Sequence, residues 1–114
     1  MTVFTFQQLF LPTVLTAGTT TIYTCPASPS TNCLKNGRLR FSNTTGGAVT
    51  VLAYAVPSGG GAGAGNEFMN NVSIAGNSYL DVDLPTLAAG DTFQASASAG
   101  TSITVFEIGG VLFT

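Results

Sequence analysis

The chain has 114 residues, a length that predicts one domain with a single hydrophobic core. Only 7% of its residues are charged, against about 25% in an average protein, and the formal net charge is −2. Nucleic-acid binding is excluded on this basis, because the three basic residues, Lys35, Arg38 and Arg40, are too few to neutralise several phosphates.

The residue pattern predicts β structure throughout the chain. Thr, Val, Phe, Tyr and Ile recur in short segments between clusters of Gly, Asn, Pro and Ser, and no segment has sustained helical periodicity. We therefore predict one all-β domain over residues 1–114, a single antiparallel β-sandwich with jelly-roll-like topology and about eight strands. The predicted strands are Val3–Phe10, Thr20–Thr24, Arg38–Asn43, Ala48–Val56, Phe68–Ala75, Tyr79–Leu84, Thr92–Ser98, Ser102–Ile108 and a short Val111–Phe113.

The first predicted element lies within residues 1–12, which we interpret as an extended arm or an edge strand. The opening "MTVFTFQQLFLPTVLTAG" lacks a basic start, and two glutamines and a proline interrupt its apolar residues, so we expect no secretory signal. No apolar run in the chain approaches the ~18 residues of a membrane span. We expect synthesis in a cytoplasm and no membrane partner, with Val3, Phe4 and Phe6 in contact with neighbouring subunits.

Two cysteines, Cys25 and Cys33, flank the proline-containing segment "PASPSTN". Synthesis in a cytoplasm disfavours a disulfide, so two alternatives remain open: a loop disulfide formed after release from the cell, or two free thiols. Two cysteines in a chain without histidine cannot close a structural zinc site.

The stretch "VPSGGGAGAGNEF" forms the one long predicted loop. A phosphate cradle would need a lysine and a following helix, whereas this run contains no basic residue and leads into a predicted strand. Glycine lets a backbone lie close to a partner, so we predict an interface loop through Gly59, Gly60, Gly61, Gly63 and Gly65.

Period-two alternation in the later strands predicts the core. Leu80, Val82 and Leu84 alternate with residues that point to the other face. The predicted core is Leu39, Phe41, Val49, Val51, Leu80, Val82, Leu84, Phe93, Ile103 and Val105.

No constellation of residues predicts catalysis. Asp81 and Asp83 share one strand face, but glycosidases place their carboxylates across a cleft and calcium needs about six oxygens, so we interpret this pair as a solvated face. The chain has no histidine, which removes the Ser-His and Cys-His couples of nucleophilic catalysis. We predict no enzyme activity, no cofactor and no metal.

The run from Phe41 to Gly110 resembles small virion-associated proteins of tailed bacteriophages. It carries in order "NTTGGAVTV", "VPSGG", "VSIA", "LAAGDT" and "ITV", where the family closes on V-T-V. Thr21–Thr24 with Pro26 matches a further T-I-Y-T-x-P pattern nearer the N-terminus. Each part is ordinary turn and strand chemistry, so the order and spacing carry the resemblance. The Cys25–Cys33 segment departs from the family by being longer.

This resemblance implies a non-enzymatic structural protein located in the virion. Similar proteins decorate or cement capsids as dimers or trimers over the seams between major capsid subunits, and the family has no catalytic residues to transfer. The alternative is a tail- or fibre-associated adhesin module that binds a host surface glycan. Exposed aromatic residues usually build such sites, and this chain has no Trp and places Tyr23, Tyr54 and Tyr79 on separate predicted strands, which favours decoration.

Overall fold

The computed structural model describes residues 4–5 and 8–113, which form an all-β sandwich of two antiparallel sheets. Ten strands and no helix lie within these residues. The strands are β1 (Phe4–Thr5), β2 (Thr13–Val14), β3 (Thr20–Thr24), β4 (Cys33–Asn43), β5 (Val49–Val56), β6 (Glu67–Ile74), β7 (Ser78–Asp83), β8 (Leu87–Ala88), β9 (Thr92–Ala97) and β10 (Ile103–Phe113).

The order of the strands is that of a jelly roll. The larger sheet runs β1-β10-β4-β7, with β2 also on β10 and β8 also on β4, and the smaller sheet runs β3-β9-β5-β6. Counting β1 and β2 as one strand and leaving out the two-residue β8 gives eight strands along the chain. In this numbering the larger sheet has the order first-eighth-third-sixth, and the smaller sheet has the order second-seventh-fourth-fifth. This nested pairing of early with late strands is the double-sheet jelly roll of eight strands. The predicted fold class is confirmed.

The predicted middle strands are close to those observed. The β3 bounds agree with the prediction, and β5, β6, β7 and β9 each differ from it by at most one residue at either end. The short segments between turn residues were therefore sufficient to locate these strands.

The longest strands, β4 and β10, were each predicted too short. β4 begins at Cys33 rather than Arg38, and β10 continues through the glycines that were expected to divide it. Asn36 has a φ of 58°, and the β4–β10 register shifts on both sides of Gly109. Bulges of this kind let paired strands continue past residues that resemble a turn.

The N-terminal part also differs from its prediction. Of the predicted strand Val3–Phe10, the described residues place Phe4–Thr5 in β1, whereas residues 8–10 lie outside any strand. Leu9 and Phe10 pack against the core, and the unpredicted β2 pairs with the first half of β10. The N-terminal part therefore adds to the edge of the larger sheet and to the core.

The core lies between the two sheets. Eight of the ten predicted core residues are buried, while Leu80 and Val82 are only partly buried because β7 is the edge strand of the larger sheet. Four leucines outside the prediction are also buried: Leu15, Leu34, Leu87 and Leu112.

Phe93 lies at the centre of this core with no exposed surface. Its ring meets Phe41 of the opposite sheet edge-on, with centroids 6.4 Å apart and planes at 85°. The rings of Phe10 and Phe68 lie at 6.3 Å and 6.2 Å from it. Four aromatic side chains from separate parts of the chain therefore converge between the sheets.

We expect Phe93→Ala to lower the free energy of unfolding by about 3–5 kcal/mol, because it removes a fully buried ring and leaves a cavity. Urea unfolding followed by circular dichroism measures this loss. The matched control is Phe106→Ala on β10, where the side chain is only half-buried and a smaller loss is expected. Equal losses in the two variants would show that Phe93 is not the centre of the core.

Candidate functional site

Three loops meet at one end of the sandwich. The backbone N–H of Cys25 donates to the carbonyl of Asp91 at 2.8 Å, and the backbone N–H of Ser58 donates to the Asp91 carboxylate at 2.9 Å. β1 lies at the same end, since it pairs with the last residues of β10. We call this region the glycine-loop end, and its loops are residues 25–32, 57–66 and 84–91.

Asp91 connects two of these loops through its side chain and the third through its backbone carbonyl. Its Oδ1 accepts the N–H of Ser58, and its Oδ2 accepts the N–H of Ala88 at 2.9 Å. Asp91 is also the one Asp, Glu, Lys or Arg within the three loops. The only formal charge of the loops is therefore used to hold them together.

The glycine-rich loop has a defined shape. It opens with a turn in which Gly60 N–H donates to the Pro57 carbonyl at 2.9 Å. Asn66 then holds its far side, accepting the N–H of Gly63 at 3.1 Å and donating its side-chain amide to the Gly61 carbonyl at 2.9 Å. The loop therefore presents a fixed backbone surface to solvent, without the cation or helix that a phosphate cradle needs.

The glycines of this loop differ in whether the fold requires a glycine at their position. Gly59 has a φ of 78°, which favours glycine, and a Cβ on Gly60 would lie 3.2 Å from the Pro57 carbonyl oxygen. At Gly61, Gly63 and Gly65, by contrast, a Cβ would meet no described atom within 4 Å, and φ lies outside the left-handed region. The described fold therefore gives no reason for glycine at these three positions.

The predicted interface residues fall partly within this end. All five predicted glycines belong to the glycine-loop end, and Phe4 reaches it through the pairing of β1, where Phe4 lies opposite Phe113. Val3 and Phe6 lie outside the described residues.

Cys25 and Cys33 are free thiols in the structure. Burial raises the pKa of the Cys25 thiol above its ordinary value, and the neighbouring Cys33 adds to this. Because a thiolate is the reactive form, Cys25 is held in its unreactive, protonated state at neutral pH.

A second distinctive surface lies on the outer face of the larger sheet. Tyr79 on β7 is 57% exposed, and the guanidinium of Arg40 on β4 lies 4.2 Å from its ring centroid. Beside them is a shallow depression of about 400 Å³. We call this surface the tyrosine face, lined by Arg40, Ser42, Tyr79, Phe106, Glu107 and Ile108.

Ion pairs between β4 and β7 organise the tyrosine face. Arg40 donates two hydrogen bonds to Asp81, at 2.7 Å and 3.0 Å, and Arg38 donates one to Asp83 at 3.2 Å. The hydrogen bond from Arg40, followed by its charge, holds the pKa of Asp81 below its ordinary value. Asp81 and Asp83 thus each form an ion pair with one arginine.

Burial raises the pKa of Glu107, which also lines the tyrosine face, above its ordinary value. A backbone hydrogen bond at Leu9 acts in the opposite direction and lowers it. In the described ion pairs, the two arginines are bound to Asp83 and Asp81 and not to Glu107. Glu107 thus adds a carboxyl group to this face that is not paired with an arginine.

Among the described residues, the acidic and cysteine side chains near these surfaces are not grouped as metal ligands. Within the described residues, no three or more His, Cys, Asp and Glu side chains are grouped so that they could hold a metal ion. The chain has no histidine, and the carboxylates of Asp81, Asp83 and Asp91 are occupied by hydrogen bonds within the fold.

The tyrosine face was missed from sequence. Alternation placed Tyr79 on the solvent side, but Phe106 and Ile108 reach the same surface only because β10 and β7 both pair with β4. Strand order is not visible in a local pattern. The other two tyrosines contribute no such surface, since Tyr23 packs against the core and Tyr54 is 9% exposed.

No protein-family model matches the chain, and no curated protein matches it. Among solved structures, it is similar to a chain in the structure of infectious bursal disease virus, Gx strain, with a TM-score of 0.48 and 14% sequence identity. The similarity covers 99% of this chain and 31% of that chain, so this protein spans about a third of its length. In the described part of the chain, no helix has the length and apolar character to cross a membrane.

We expect Asp91→Ala to loosen the glycine-loop end without unfolding the sandwich, because it removes one hydrogen bond that joins two loops and one that closes the loop of Asp91 itself. Amide hydrogen exchange should become faster at Ser58 and Ala88 and stay unchanged in the centre of β5. Asp91→Asn, which keeps one acceptor oxygen, is the control and should have a smaller effect. Unchanged exchange at both amides would contradict this function of Asp91.

We expect Arg40→Gln to raise the pKa of Asp81 toward its ordinary range, since the main cause of the lowered value is removed. A lowered folded-state pKa means that the Asp81 contribution to stability is present above the unfolded pKa and lost as pH falls through the folded pKa. Carboxyl carbon NMR titration measures the pKa. Arg38→Gln should change it less, and an equal change in both variants would contradict the assigned pairing.

Proposed function

We propose that this protein is a structural component of a tailed-phage virion, a capsid decoration or cement protein with no enzyme activity. In this proposal its glycine-loop end docks onto major capsid subunits, as part of a homotrimer or homodimer. The protein is made in the host cytoplasm and added to the particle, and no nucleic acid, membrane or cofactor takes part.

The observation that carries the proposal is that the described fold does not require glycine at three positions of the loop, Gly61, Gly63 and Gly65. They lie on a loop held in shape by Asn66 and exposed to solvent. A backbone without side chains lets another surface approach closely, and a braced loop loses little conformational entropy when it docks. Both properties suit a permanent contact with another protein.

The electrostatics of this end support the same use. The only charged side chain of its three loops, that of Asp91, already accepts hydrogen bonds from backbone N–H groups, so docking of these loops desolvates little charge. Permanent assemblies use large interfaces that are more apolar than transient ones. Such binding should resist salt, because few ion pairs are available to be screened.

The fold and the sequence resemblance point in the same direction. Jelly rolls occur in viral capsid domains and in lectins, so the topology is compatible with a virion protein, although a fold does not assign a function by itself. The order of motifs from Phe41 to Gly110 resembles that of small phage virion proteins, and this favours a virion protein among the classes that share the topology.

The direct test is to locate the protein on purified particles. Mass spectrometry of virions should detect the chain, and a cryo-electron microscopy map should place the jelly roll over capsid seams with the glycine-loop end against the shell. Density on a tail fibre would replace decoration with the adhesin alternative, and absence from virions would overturn the proposal.

We expect a Gly61→Gln, Gly63→Gln double variant to keep its melting temperature but lose binding to capsids assembled without the protein. The new side chains enter open space, so the monomer is unaffected while close approach is blocked. Gly18→Gln is the matched control, because a Cβ there also meets no described atom within 4 Å.

Co-sedimentation with these capsids measures the binding. Wild type and the Gly18 control should remain bound in about 1 M salt, where charges are screened within about 3 Å. Full binding of the double variant would contradict docking through this loop.

A further inference from the structure

We propose that the tyrosine face is a carbohydrate-binding site and that its ligand is an uncharged saccharide. The site is independent of the proposed decoration role, because it lies on the side of the larger sheet rather than at the glycine-loop end. Four observations carry the proposal: the exposed ring of Tyr79, the fixed guanidinium of Arg40, the charge pattern, and the size of the depression.

The ring of Tyr79 is a stacking surface held in place. The guanidinium of Arg40 covers one face of the ring at 4.2 Å, yet the residue is 57% exposed, so the rest of the ring is open to solvent. The π face of an aromatic ring carries negative potential, which attracts the polarised C–H groups on the apolar face of a sugar ring. Phe106 and the 40% exposed Ile108 extend this apolar surface.

Polar groups for sugar hydroxyls stand next to the ring in a fixed geometry. Two N–H groups of Arg40 are directed to Asp81, and a guanidinium has five, so donors remain for a ligand. Ser42, directly opposite Tyr79 in the β4–β7 register, adds a hydroxyl to the lining. Groups that are already positioned bind with a smaller entropy cost than flexible ones.

The charges of this face indicate an uncharged ligand. Arg40, the one basic residue that lines the depression, is paired with Asp81, and Arg38 is paired with Asp83, so the described lining has no unpaired cation to attract an acidic sugar. Glu107 lines the depression as an additional carboxyl group and would repel sulfate, phosphate or sialic acid. A sugar with hydroxyl or acetamido groups meets no such penalty.

The size of the site suits a short saccharide better than a protein. The depression of about 400 Å³ lies within the roughly 300–1,000 Å³ of small-molecule sites. A stable protein partner would need about 800 Å² on this chain. Because the depression is shallow and open, the end or a branch of a longer glycan can enter it.

The test uses the whole purified protein without any particle, so its failure is separate from a failure of the decoration proposal. Fluorescently labelled protein is applied to an array of neutral, sialylated and sulfated oligosaccharides. Methyl glycosides of glucose, galactose, mannose and N-acetylglucosamine are then tested by saturation-transfer NMR. We expect saturable binding to neutral members only, with amide shifts in the wild-type protein confined to the strands around Tyr79.

Variants identify the site. Tyr79→Ala should weaken binding about tenfold or more, because the stacking surface is lost, whereas Tyr79→Phe should stay within about twofold. Val14→Ala is the control for general apolar docking, since Val14 is 50% exposed on the same sheet but does not line the depression, and it should bind as wild type.

Three results would overturn the proposal: no saccharide bound by the wild type, shifts that map away from Tyr79, or a preference for acidic glycans. Analytical ultracentrifugation supplies a fourth, because self-association of the wild type that Tyr79→Ala abolishes would assign the face to a second copy of the chain. The wild-type shift map keeps the test decisive if Tyr79→Ala folds poorly.

Discussion

The edge-on contact between Phe41 and Phe93 holds the two sheets together, and the rest of the structure depends on it. Each ring is fully buried and belongs to a different sheet. Side chains alternate along a strand, so burying Phe41 directs Arg40 and Ser42 to the opposite face. A slip of one residue would expose the ring and bury the arginine. The core thus determines which residues the larger sheet shows to solvent.

The pairing of β4 with β7 imposes the same alternation of buried and exposed side chains on β7. Phe41 lies opposite Leu80, so Arg40 lies opposite Asp81, and Ser42 lies opposite Tyr79. The ion pair and the exposed ring therefore follow from a register that apolar burial selects. Cross-strand ion pairs of this exposure stabilise a protein little, so their main effect here is to fix the positions of side chains.

Local patterns allowed the strands and most of the core to be predicted, because alternation and turn residues are local properties. They failed where pairing with a distant strand overrides a local signal. The segment around Asn36 resembles a turn, yet it continues as β4 because β10 pairs with it through bulges at its own glycines. β8 lies between two predicted strands and was missed for the same reason, since Leu87 pairs with the distant Leu34 and is buried.

The same distinction separates the two candidate sites. The glycine-rich stretch was predicted to be a loop from its own residues, but its connection to the loop of Asp91 was not, because Asp91 reaches Ser58 across 33 positions of sequence. The tyrosine face was not predicted, since its lining comes from β4, β7 and β10 and exists only once the jelly roll has formed. Site residues are visible in sequence when they are local, and hidden when strand order brings them together.

The distribution of charge connects these surfaces with the composition. Of the eight Lys, Arg, Asp and Glu residues, six lie on β4, β7 and β10 of the larger sheet. They are Lys35, Arg38, Arg40, Asp81, Asp83 and Glu107. Charges used mainly for solubility would be spread over the surface with both signs interspersed. Here four of the six form pairs, and one pair orients an exposed aromatic ring. The glycine-loop end, whose three loops carry the single charge of Asp91, and the charged larger sheet therefore favour different kinds of contact.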